Sequence, residues 1–363
     1  MTRPLLALTL GDPNGIGPEV VLKATRDDRV REAARVVAVG SAAVLADQAE
    51  RLRLGPVHAV QDPADAAPPG ALAVLDTGGA DTGGADTGGP GAGGAAYAWG
   101  ETTAAGGAQA MAAVARACDL CLGGLGAGGP EAGGVVDGMV TAPLSKEAIH
   151  LAGYDFPGHT EFLQARTGAE TVVMVLASET ERGPLRVALV TIHVPISAVP
   201  RLVTRGRIAD VCRTLAAALR RDLGVEVPRL AVLGLNPHAG DGGVIGGEEA
   251  ATIRPALGAL RADGLDVAGP FPADAFFGRA AWSRFDAVVA MYHDQGLAPF
   301  KAIAQGAGVN VTLGLPIVRT SPDHGTAFDL AGRGGPQGGG ADPGSMVEAV
   351  LLAAQMARRR MGG

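Results

Sequence analysis

The chain has 363 residues, of which 47% are hydrophobic, so it is long enough for two domains with their own cores and too apolar to be disordered throughout. A formal net charge of −7 and the lack of a long basic run exclude a general nucleic-acid-binding protein. Three cysteines are too few for a disulfide scaffold, and no apolar segment reaches the roughly 18–20 residues that span a bilayer, so we expect a cytoplasmic protein without a membrane partner.

The first predicted strand, Leu5–Leu10, leads into a glycine-rich turn at Gly11–Glu19. Pro18 suits the first turn of a following helix, because its missing N–H would have no partner there. Such a turn can direct backbone N–H groups at an anion. It matches neither the dinucleotide fingerprint nor the Walker loop, so an ordinary strand-to-helix turn explains it equally well.

The next predicted elements are a strand at Arg35–Val39 and a helix at Ala42–Leu54. Residues 76–96 contain three copies of Asp-Thr-Gly-Gly and cannot bury a core, which predicts a flexible, glycine-rich surface insert. A long helical period follows at Gly100–Leu122, and then a strand at Val135–Thr141.

Three predicted buried strands are each followed within a few residues by a histidine. The strands are Leu185–Ile192, Leu230–Leu235 and Ala287–Tyr292, and the histidines are His193, His238 and His293. The chain holds only seven histidines, so this repeated placement favours a shared role. Neutral imidazole is the commonest metal-binding side chain, and three of them with open positions suit a catalytic divalent metal. A metal-free polar cleft is the alternative.

Two carboxylates lie near these histidines in the sequence. Asp294 follows His293 directly, and Asp274 lies in a Phe-Pro-Ala-Asp segment. Each could orient an imidazole or accept a proton, and each could instead be a plain turn residue.

Polar side chains also surround the last predicted strand, Val309–Leu315. Lys301, Asn310 and Arg319 together suit a small anionic substrate, because the fork of an arginine binds phosphate or carboxylate bidentately. In open α/β sheets ligands lie beyond the carboxyl ends of strands, where these residues fall. The closing helix is predicted at Pro343–Arg358.

His159 and Thr160 mark the start of another predicted helix. Thr160 could cap it, and His159 could be an ordinary capping or surface histidine, because the ends of elements are usually polar.

Eight segments together resemble the 4-hydroxythreonine-4-phosphate dehydrogenase family of the isocitrate/isopropylmalate dehydrogenase-like superfamily. They are LTLGDPNGIGPE, VTAPLSK, FPGHTEF, TIHVPI, LNPHAGDGG, PFPAD, MYHDQGLAPFK and GVNVTLGLPIVRTSPDHGTAFDLAGRG. The segments span nearly the whole chain in the family's order. The Asp-Thr-Gly-Gly repeat departs from the family pattern, and Ser178–Pro184 is expected to lengthen the connection before the His193 strand.

The resemblance implies an α/β fold of two α/β/α domains with a cleft between them. The first domain would comprise residues 1–140 and 305–363 and carry the cofactor loop. The second, residues 141–304, would carry the metal ligands and the dimer interface.

The implied reaction is an NAD-dependent (or NADP-dependent), divalent-metal-dependent oxidation of 4-phosphooxy-L-threonine at its 3-hydroxyl. Decarboxylation would then give 3-amino-2-oxopropyl phosphate, for pyridoxal 5′-phosphate biosynthesis. Relatives that act on 4-phospho-D-threonate, on 4-phospho-D-erythronate or on aromatic cis-dihydrodiol acids share these motifs and remain alternatives.

The resemblance also assigns site residues. It implies one divalent ion per subunit (zinc, magnesium or cobalt) on His193, His238 and His293, in a homodimer in which one ligand, expected to be His293, comes from the partner subunit. Substrate contacts would be His159, Thr160, Lys301, Asn310 and Arg319. Asp274, Asp294 and Lys301 are the candidate proton acceptors, and His324, Gly325 and Asp329 belong to a segment similar to the dinucleotide loop of isopropylmalate dehydrogenases.

A metal-dependent hydrolase is the alternative from another class, because three histidines could activate water. The segment at 324–334 resembles a dinucleotide-binding loop, and a hydrolase needs no dinucleotide. A catalytically inactive sugar-phosphate sensor would have no need of the intact histidines.

Overall fold

The structure, a computed structural model, describes residues 2–78, 97–123, 135–156, 158–334 and 340–362. Its strands are β1 (Leu5–Thr9), β2 (Arg35–Gly40), β3 (Val57–Val60), β4 (Leu72–Asp76), β5 (Gly138–Thr141), β6 (Val173–Thr180), β7 (Gly183–Leu189), β8 (Arg229–Leu233), β9 (Asp266–Phe271), β10 (Ala287–Ala290), β11 (Val309–Leu313) and β12 (Arg319–Pro322). Its α-helices are α1 (Gly17–Ala24), α2 (Asp28–Ala33), α3 (Ala42–Arg51), α4 (Ala104–Cys121), α5 (Lys146–Leu151), α6 (His159–Thr167), α7 (Val199–Leu202), α8 (Arg205–Leu223), α9 (Arg254–Ala262), α10 (Ala273–Gly278), α11 (His293–Ala304) and α12 (Gly344–Gly362). Among the described residues, no helix combines the length and the apolar character needed to cross a membrane.

The chain divides into two compact units. Unit 1 comprises Met1–Arg166 and Pro316–Met361, and unit 2 comprises Thr167–Leu315 with the last two residues. The assignment of residues 1–140 with 305–363 and of residues 141–304 to two domains stays a prediction.

Unit 1 contains a parallel sheet with strand order β3-β4-β2-β1-β5-β12. Every residue of β1 is buried, which explains its unbroken apolar sequence, since parallel strands are covered on both faces. Helix α4 packs on this sheet and is capped by Thr103, whose hydroxyl accepts a hydrogen bond from the Gly106 N–H at 3.0 Å. A Cβ at Gly107 would lie 2.1 Å from the Ala148 carbonyl oxygen, so glycine there allows α4 and α5 to approach closely.

Unit 2 contains strands in the order β11-β6-β7-β10-β8-β9. Strand β6 runs antiparallel to both β11 and β7, whereas β7, β10, β8 and β9 are mutually parallel. A core of strand and helix side chains, including Val187, Leu189, Trp282 and Phe300, fixes α11 against β7 and β10. This packing determines where the segment around His293 lies.

The prediction of an α/β protein is confirmed, and all the predicted strands are present. Most end earlier than predicted, whereas β2 extends to Gly40 and β5 begins only at Gly138. Ser178–Pro184 lies in the β6–β7 hairpin, where Ser178 pairs with Leu185 and Glu179 with Pro184, and its expected extra length relative to the family stays a prediction. The predicted insert at 76–96 begins inside β4, at Asp76, and residues 79–96 lie outside the described residues.

Candidate active site

Three neighbouring parallel strands of unit 2 lead to the three predicted metal ligands. Strand β10 lies between β7 and β8, so the carboxyl ends of all three strands reach the same edge of the sheet. His193 follows β7, His293 opens α11 directly after β10, and His238 lies in a 3₁₀ segment, Pro237–Gly243, after β8. The expected placement at strand ends is therefore present, and the metal-binding role stays a prediction.

His193 and His293 lie side by side. Beyond the ends of β7 and β10, the backbone N–H and the hydroxyl of Thr191 donate to the Met291 carbonyl at 3.2 and 2.8 Å, so the two chains stay paired up to the histidines. The imidazole centroids are 5.7 Å apart, with an angle of 42° between the rings. Both histidines line a cavity of about 310 Å³, together with Tyr292 and several aliphatic side chains.

Asp294 orients one of these rings. Its Oδ1 lies 2.7 Å from Nδ1 of His293, and the His293 side chain is 37% exposed. A carboxylate bound to Nδ1 leaves Nε2 as the free coordinating nitrogen, the usual arrangement of a metal-binding histidine. This contact corresponds to the orienting role that we considered for Asp294.

His238 lies on an unusual turn. Five consecutive residues from His238 to Gly242 have positive φ, between 42° and 81°, and three of them are not glycine. A left-handed conformation costs roughly 1–2 kcal/mol for each such residue. Strain of this kind persists only where surrounding contacts impose it, and it is concentrated at functional sites.

The chain alone does not assemble all three predicted ligands. Within the described ranges, no group of three or more His, Cys, Asp or Glu side chains is placed to hold one metal ion. His193 and His293 are paired, and His238 is exposed on the turn after β8. The expectation that the partner subunit supplies His293 stays a prediction.

Gln295 connects the ends of two of these strands. Its Oε1 accepts a hydrogen bond from the Met291 N–H at 2.7 Å, and its Nε2 donates to the Gly234 carbonyl. Met291 follows β10 and Gly234 follows β8, so one side chain fixes the two strand ends that precede His293 and His238.

Unit 1 contains a buried cation. Arg319 lies on β12 and is only 2% exposed, and its Nη2 donates to Oγ1 of Thr141 on the adjacent strand β5 at 2.7 Å. Burial lowers the pKa of Arg319 to about 10, while the negative charge of Glu161 acts in the opposite direction. The guanidinium is therefore charged at neutral pH and held in one position.

His159 and Thr160 form the first turn of α6 in the same unit. Burial, assisted by the positive charge of Arg319, holds the pKa of His159 well below its usual value of 6.5, so the ring is neutral at pH 7. Its Nε2 is buried and makes no hydrogen bond to any described residue. A neutral imidazole with an unsatisfied buried nitrogen beside a buried arginine is suited to hydrogen-bond a polar ligand.

The other predicted substrate contacts and proton acceptors lie in unit 2. Asn310 is on β11, and its Oδ1 is buried without a hydrogen-bond partner in the part of the chain that the structure describes. Lys301 is exposed in the last turn of α11, and Asp274 is exposed in the first turn of α10. The choice of proton acceptor stays a prediction.

The predicted cofactor segment packs against the glycine-rich turn that follows β1. The Ile16 N–H donates to the Thr326 carbonyl at 2.9 Å, and a Cβ at Gly15 would lie 2.7 Å from that oxygen. Gly325 and Asp329 are exposed, and Nε2 of His324 is buried with no partner among the residues described. The two segments that we associated with anion and dinucleotide binding are thus in contact.

Thr141, the partner of Arg319, was predicted only as the last residue of a strand, although the rule that ligands lie beyond strand ends applies to it as well. Its pairing with Arg319 depends on β12, a strand that was not predicted.

Comparison with known proteins gives one consistent result. The family described as "Pyridoxal phosphate biosynthetic protein PdxA" matches residues 32–353. A 4-hydroxythreonine-4-phosphate dehydrogenase of Chromobacterium violaceum is 45% identical over 98% of this chain and 97% of its own length. The crystal structure of the enzyme of that name from Klebsiella pneumoniae superposes with a TM-score of 0.79 at 37% identity, covering 98% of this chain and 100% of that one. A terephthalate 1,2-cis-dihydrodiol dehydrogenase from Burkholderia xenovorans is more distant, with a TM-score of 0.62 and 28% identity over 98% of both chains.

Proposed function

The chain belongs to the PdxA family of pyridoxal phosphate biosynthetic proteins, and on that premise we propose that it is a 4-hydroxythreonine-4-phosphate dehydrogenase. It would oxidise 4-phosphooxy-L-threonine at the 3-hydroxyl with NAD. The hydride leaves C3 for the nicotinamide ring, and the hydroxyl proton passes to a base. The resulting β-keto acid loses CO₂ and takes up a proton to give 3-amino-2-oxopropyl phosphate.

The observation that carries this proposal is the pair of imidazoles at the ends of β7 and β10. The 5.7 Å separation of their centroids and the Asp294 contact to His293 fit a divalent-metal site with Nε2 coordination. A divalent ion held there supplies a Lewis acid that stabilises negative charge developing on oxygen. Imidazole nitrogens suit zinc and neighbouring transition metals such as cobalt, whereas magnesium prefers oxygen ligands.

Arg319 is the proposed anchor for an anionic group of the substrate. A charged, nearly inaccessible guanidinium held by Thr141 binds phosphate or carboxylate with little loss of side-chain freedom. His159 and Thr160 are proposed to donate or accept hydrogen bonds at the same anion. In unit 2, Lys301 and Asn310 are the proposed substrate contacts, since the buried Asn310 Oδ1 needs a donor.

Proton transfer requires a group near the reacting hydroxyl. Asp274, Asp294 and Lys301 are the candidates, and Asp294 already accepts from His293. An orienting role for Asp294 therefore leaves Asp274 or Lys301 as the proposed base. When Arg319 holds the anionic group of the substrate, the distance between the substrate hydroxyl and the nicotinamide ring is also fixed. This positioning accelerates hydride transfer.

The cofactor is proposed to bind at the segment containing His324, Gly325 and Asp329. Asp329 is an exposed carboxylate, which can accept hydrogen bonds from the ribose hydroxyls of a dinucleotide. The buried His324 Nε2 is a further unsatisfied group that a ligand could pair.

We also propose that the active form is a homodimer. Among the described residues, His193 and His293 are paired and no group of three ligands is formed, so a histidine of the partner subunit would complete the site. Exposed aliphatic side chains follow His193 and His238 in the sequence: Ile196 is 69% exposed and Val244 is 83% exposed. Apolar groups next to incomplete ligand sets suit an interface with a second copy of the chain.

The test is absorbance at the NADH band with a panel of substrates. It includes 4-phosphooxy-L-threonine, 4-phospho-D-threonate, 4-phospho-D-erythronate and an aromatic cis-dihydrodiol acid, each with metal-stripped and metal-restored protein. Turnover of the phosphothreonine alone, only with metal, supports the proposal. Preference for another member of the panel reassigns the substrate, and hydrolysis without NADH formation would contradict a dehydrogenase.

A further inference from the structure

Glu249 is a buried carboxylate that contacts the segment carrying His238. It is 2% exposed and belongs to a π-helical turn, Glu249–Ile253. Its Oε1 accepts hydrogen bonds from the backbone N–H groups of Leu235 and Asn236, each at 2.8 Å. These two residues connect β8 to the turn at Pro237–Gly243.

The side chain of Asn236 adds a second layer of contacts. Its Nδ2 donates to Oε2 of Glu249 at 2.9 Å and to Oε2 of the neighbouring Glu248 at 2.7 Å. The second contact lowers the pKa of Glu248, which is only partly buried, unlike Glu249. Glu249 thus binds both the backbone and the side chain of the segment, whereas Glu248 binds the side chain alone.

Glu249 also lies against the inner side of the left-handed turn. A Cβ at Gly240 would lie 2.7 Å from its Oε2, so the turn closes directly over the carboxylate. The run of positive φ values from His238 to Gly242 is costly for the non-glycine residues, and contacts outside the turn must impose it. Among the described side chains, Glu249 supplies three hydrogen bonds to the two residues that lead into this turn.

We propose that Glu249 is a positioning residue, which holds the left-handed turn so that His238 is presented as a metal ligand. The inference rests on the proposed function, because it assumes that His238 binds metal. Groups that hold a ligand from outside the coordination sphere typically contribute 10–100-fold to metal affinity. Glu249 would act on the ligand through the backbone of Leu235 and Asn236 and would touch neither the metal nor the substrate.

The experiment measures Co²⁺ affinity by titration of the metal-free full-length protein, together with the visible absorption spectrum of the bound ion. In Glu249→Ala we expect the affinity to fall by about 10–100-fold, with a changed spectrum. Glu249→Gln keeps an oxygen for both backbone N–H groups and should bind at least about fivefold more tightly than the alanine variant. Glu248→Ala is the matched control, because it removes a neighbouring carboxylate that also binds Asn236, and it should bind Co²⁺ as the wild type does.

A rescue separates positioning from general destabilisation. Asp241→Gly relieves left-handed strain at an exposed position of the turn. Combined with Glu249→Ala, it should recover part of the lost affinity. If Glu249→Ala does not fold, Glu249→Asp replaces it, because a carboxylate one methylene shorter cannot reach the two backbone N–H groups.

The outcomes are distinguishable. Unchanged Co²⁺ affinity and spectrum in Glu249→Ala, or equal losses in the Glu248 and Glu249 variants, would overturn the positioning role while leaving the proposed function intact. Failure of the wild type to bind Co²⁺ at all would overturn the metal-dependent function, and the positioning role with it.

Discussion

The two units build their candidate binding groups in opposite ways. In unit 1, Arg319 is almost inaccessible and is held by Thr141 from the neighbouring strand, so its position is set by burial within one chain. In unit 2, the histidines lie beyond strand ends, with His193 and His293 paired and His238 on a strained, exposed turn, and the described residues form no group of three metal ligands. A buried guanidinium suits an anion site that one chain forms in advance, whereas an exposed and incomplete ligand set suits completion by another chain.

The largest expected effect comes from breaking the exposed pair. His193→Ala removes one of the two adjacent imidazoles, and we expect kcat/KM to fall by at least about 100-fold, since even groups outside the coordination sphere contribute 10–100-fold. Bound metal, measured by elemental analysis of the purified protein, should fall in parallel. His150→Ala on α5 is the control, because His150 is exposed and lies in unit 1. Full activity of metal-stripped His193→Ala would show that the pair has another role.

A second prediction tests whether unit 2 needs a second copy of the chain. Ile196→Asp places a carboxylate on the apolar surface after His193, and burying it at an interface is costly. We expect the dimer dissociation constant to rise by about 10–100-fold, with activity lost at low protein concentration. Analytical ultracentrifugation and activity over a dilution series measure both effects.

Val227→Asp is the matched control for that substitution. Val227 is 70% exposed against 69% for Ile196, and it precedes β8 at the amino end, opposite the edge that carries the histidines. A monomer that remains fully active at every dilution would refute the shared site.

The same contrast explains what the sequence allowed us to predict. Unbroken apolar runs such as Leu5–Leu10 predicted buried parallel strands, and the histidines after such runs were found at the expected edge. Strand β12 was missed, because its sequence Arg-Thr-Ser-Pro is polar and its burial depends on pairing with β5. Thr141 of β5, which binds Arg319, lies 178 residues away from it in the sequence. The left-handed turn at His238 was not predictable either, because three of its residues are not glycine and the contacts that impose it come from Glu249.

A third prediction concerns the buried cation of unit 1. Arg319→Lys keeps the charge but loses the planar fork and the fixed contact to Thr141, so kcat/KM for 4-phosphooxy-L-threonine should fall by about tenfold or more. The unphosphorylated alcohol should react slowly with both proteins and show a smaller difference between them, because it lacks the group that Arg319 is proposed to hold. Steady-state NADH formation with both substrates provides the measurement. Equal losses for the two substrates would mean that Arg319 stabilises unit 1 and does not bind phosphate.

The smallest effect is a pH dependence of stability from His159. Its pKa in the folded protein lies well below 6.5, through burial and the charge of Arg319, while the unfolded chain keeps the ordinary value. Below pH 6.5 the unfolded state therefore binds a proton that the folded state does not, so stability falls as the pH drops. The slope from this single group is at most about 1.4 kcal/mol per pH unit, and it vanishes above pH 6.5.

Urea unfolding of the wild type and of His159→Asn between about pH 7.5 and about pH 5 isolates this contribution. The two proteins can differ in unfolding free energy at neutral pH. As the pH falls, the wild type should lose stability relative to the variant, because asparagine takes up no proton in the unfolded chain. His150→Asn controls for the loss of an exposed histidine. A constant difference across the range would mean that His159 is protonated in the folded protein as readily as in the unfolded chain. The buried, cationic surroundings that distinguish unit 1 from unit 2 would then not extend to this residue.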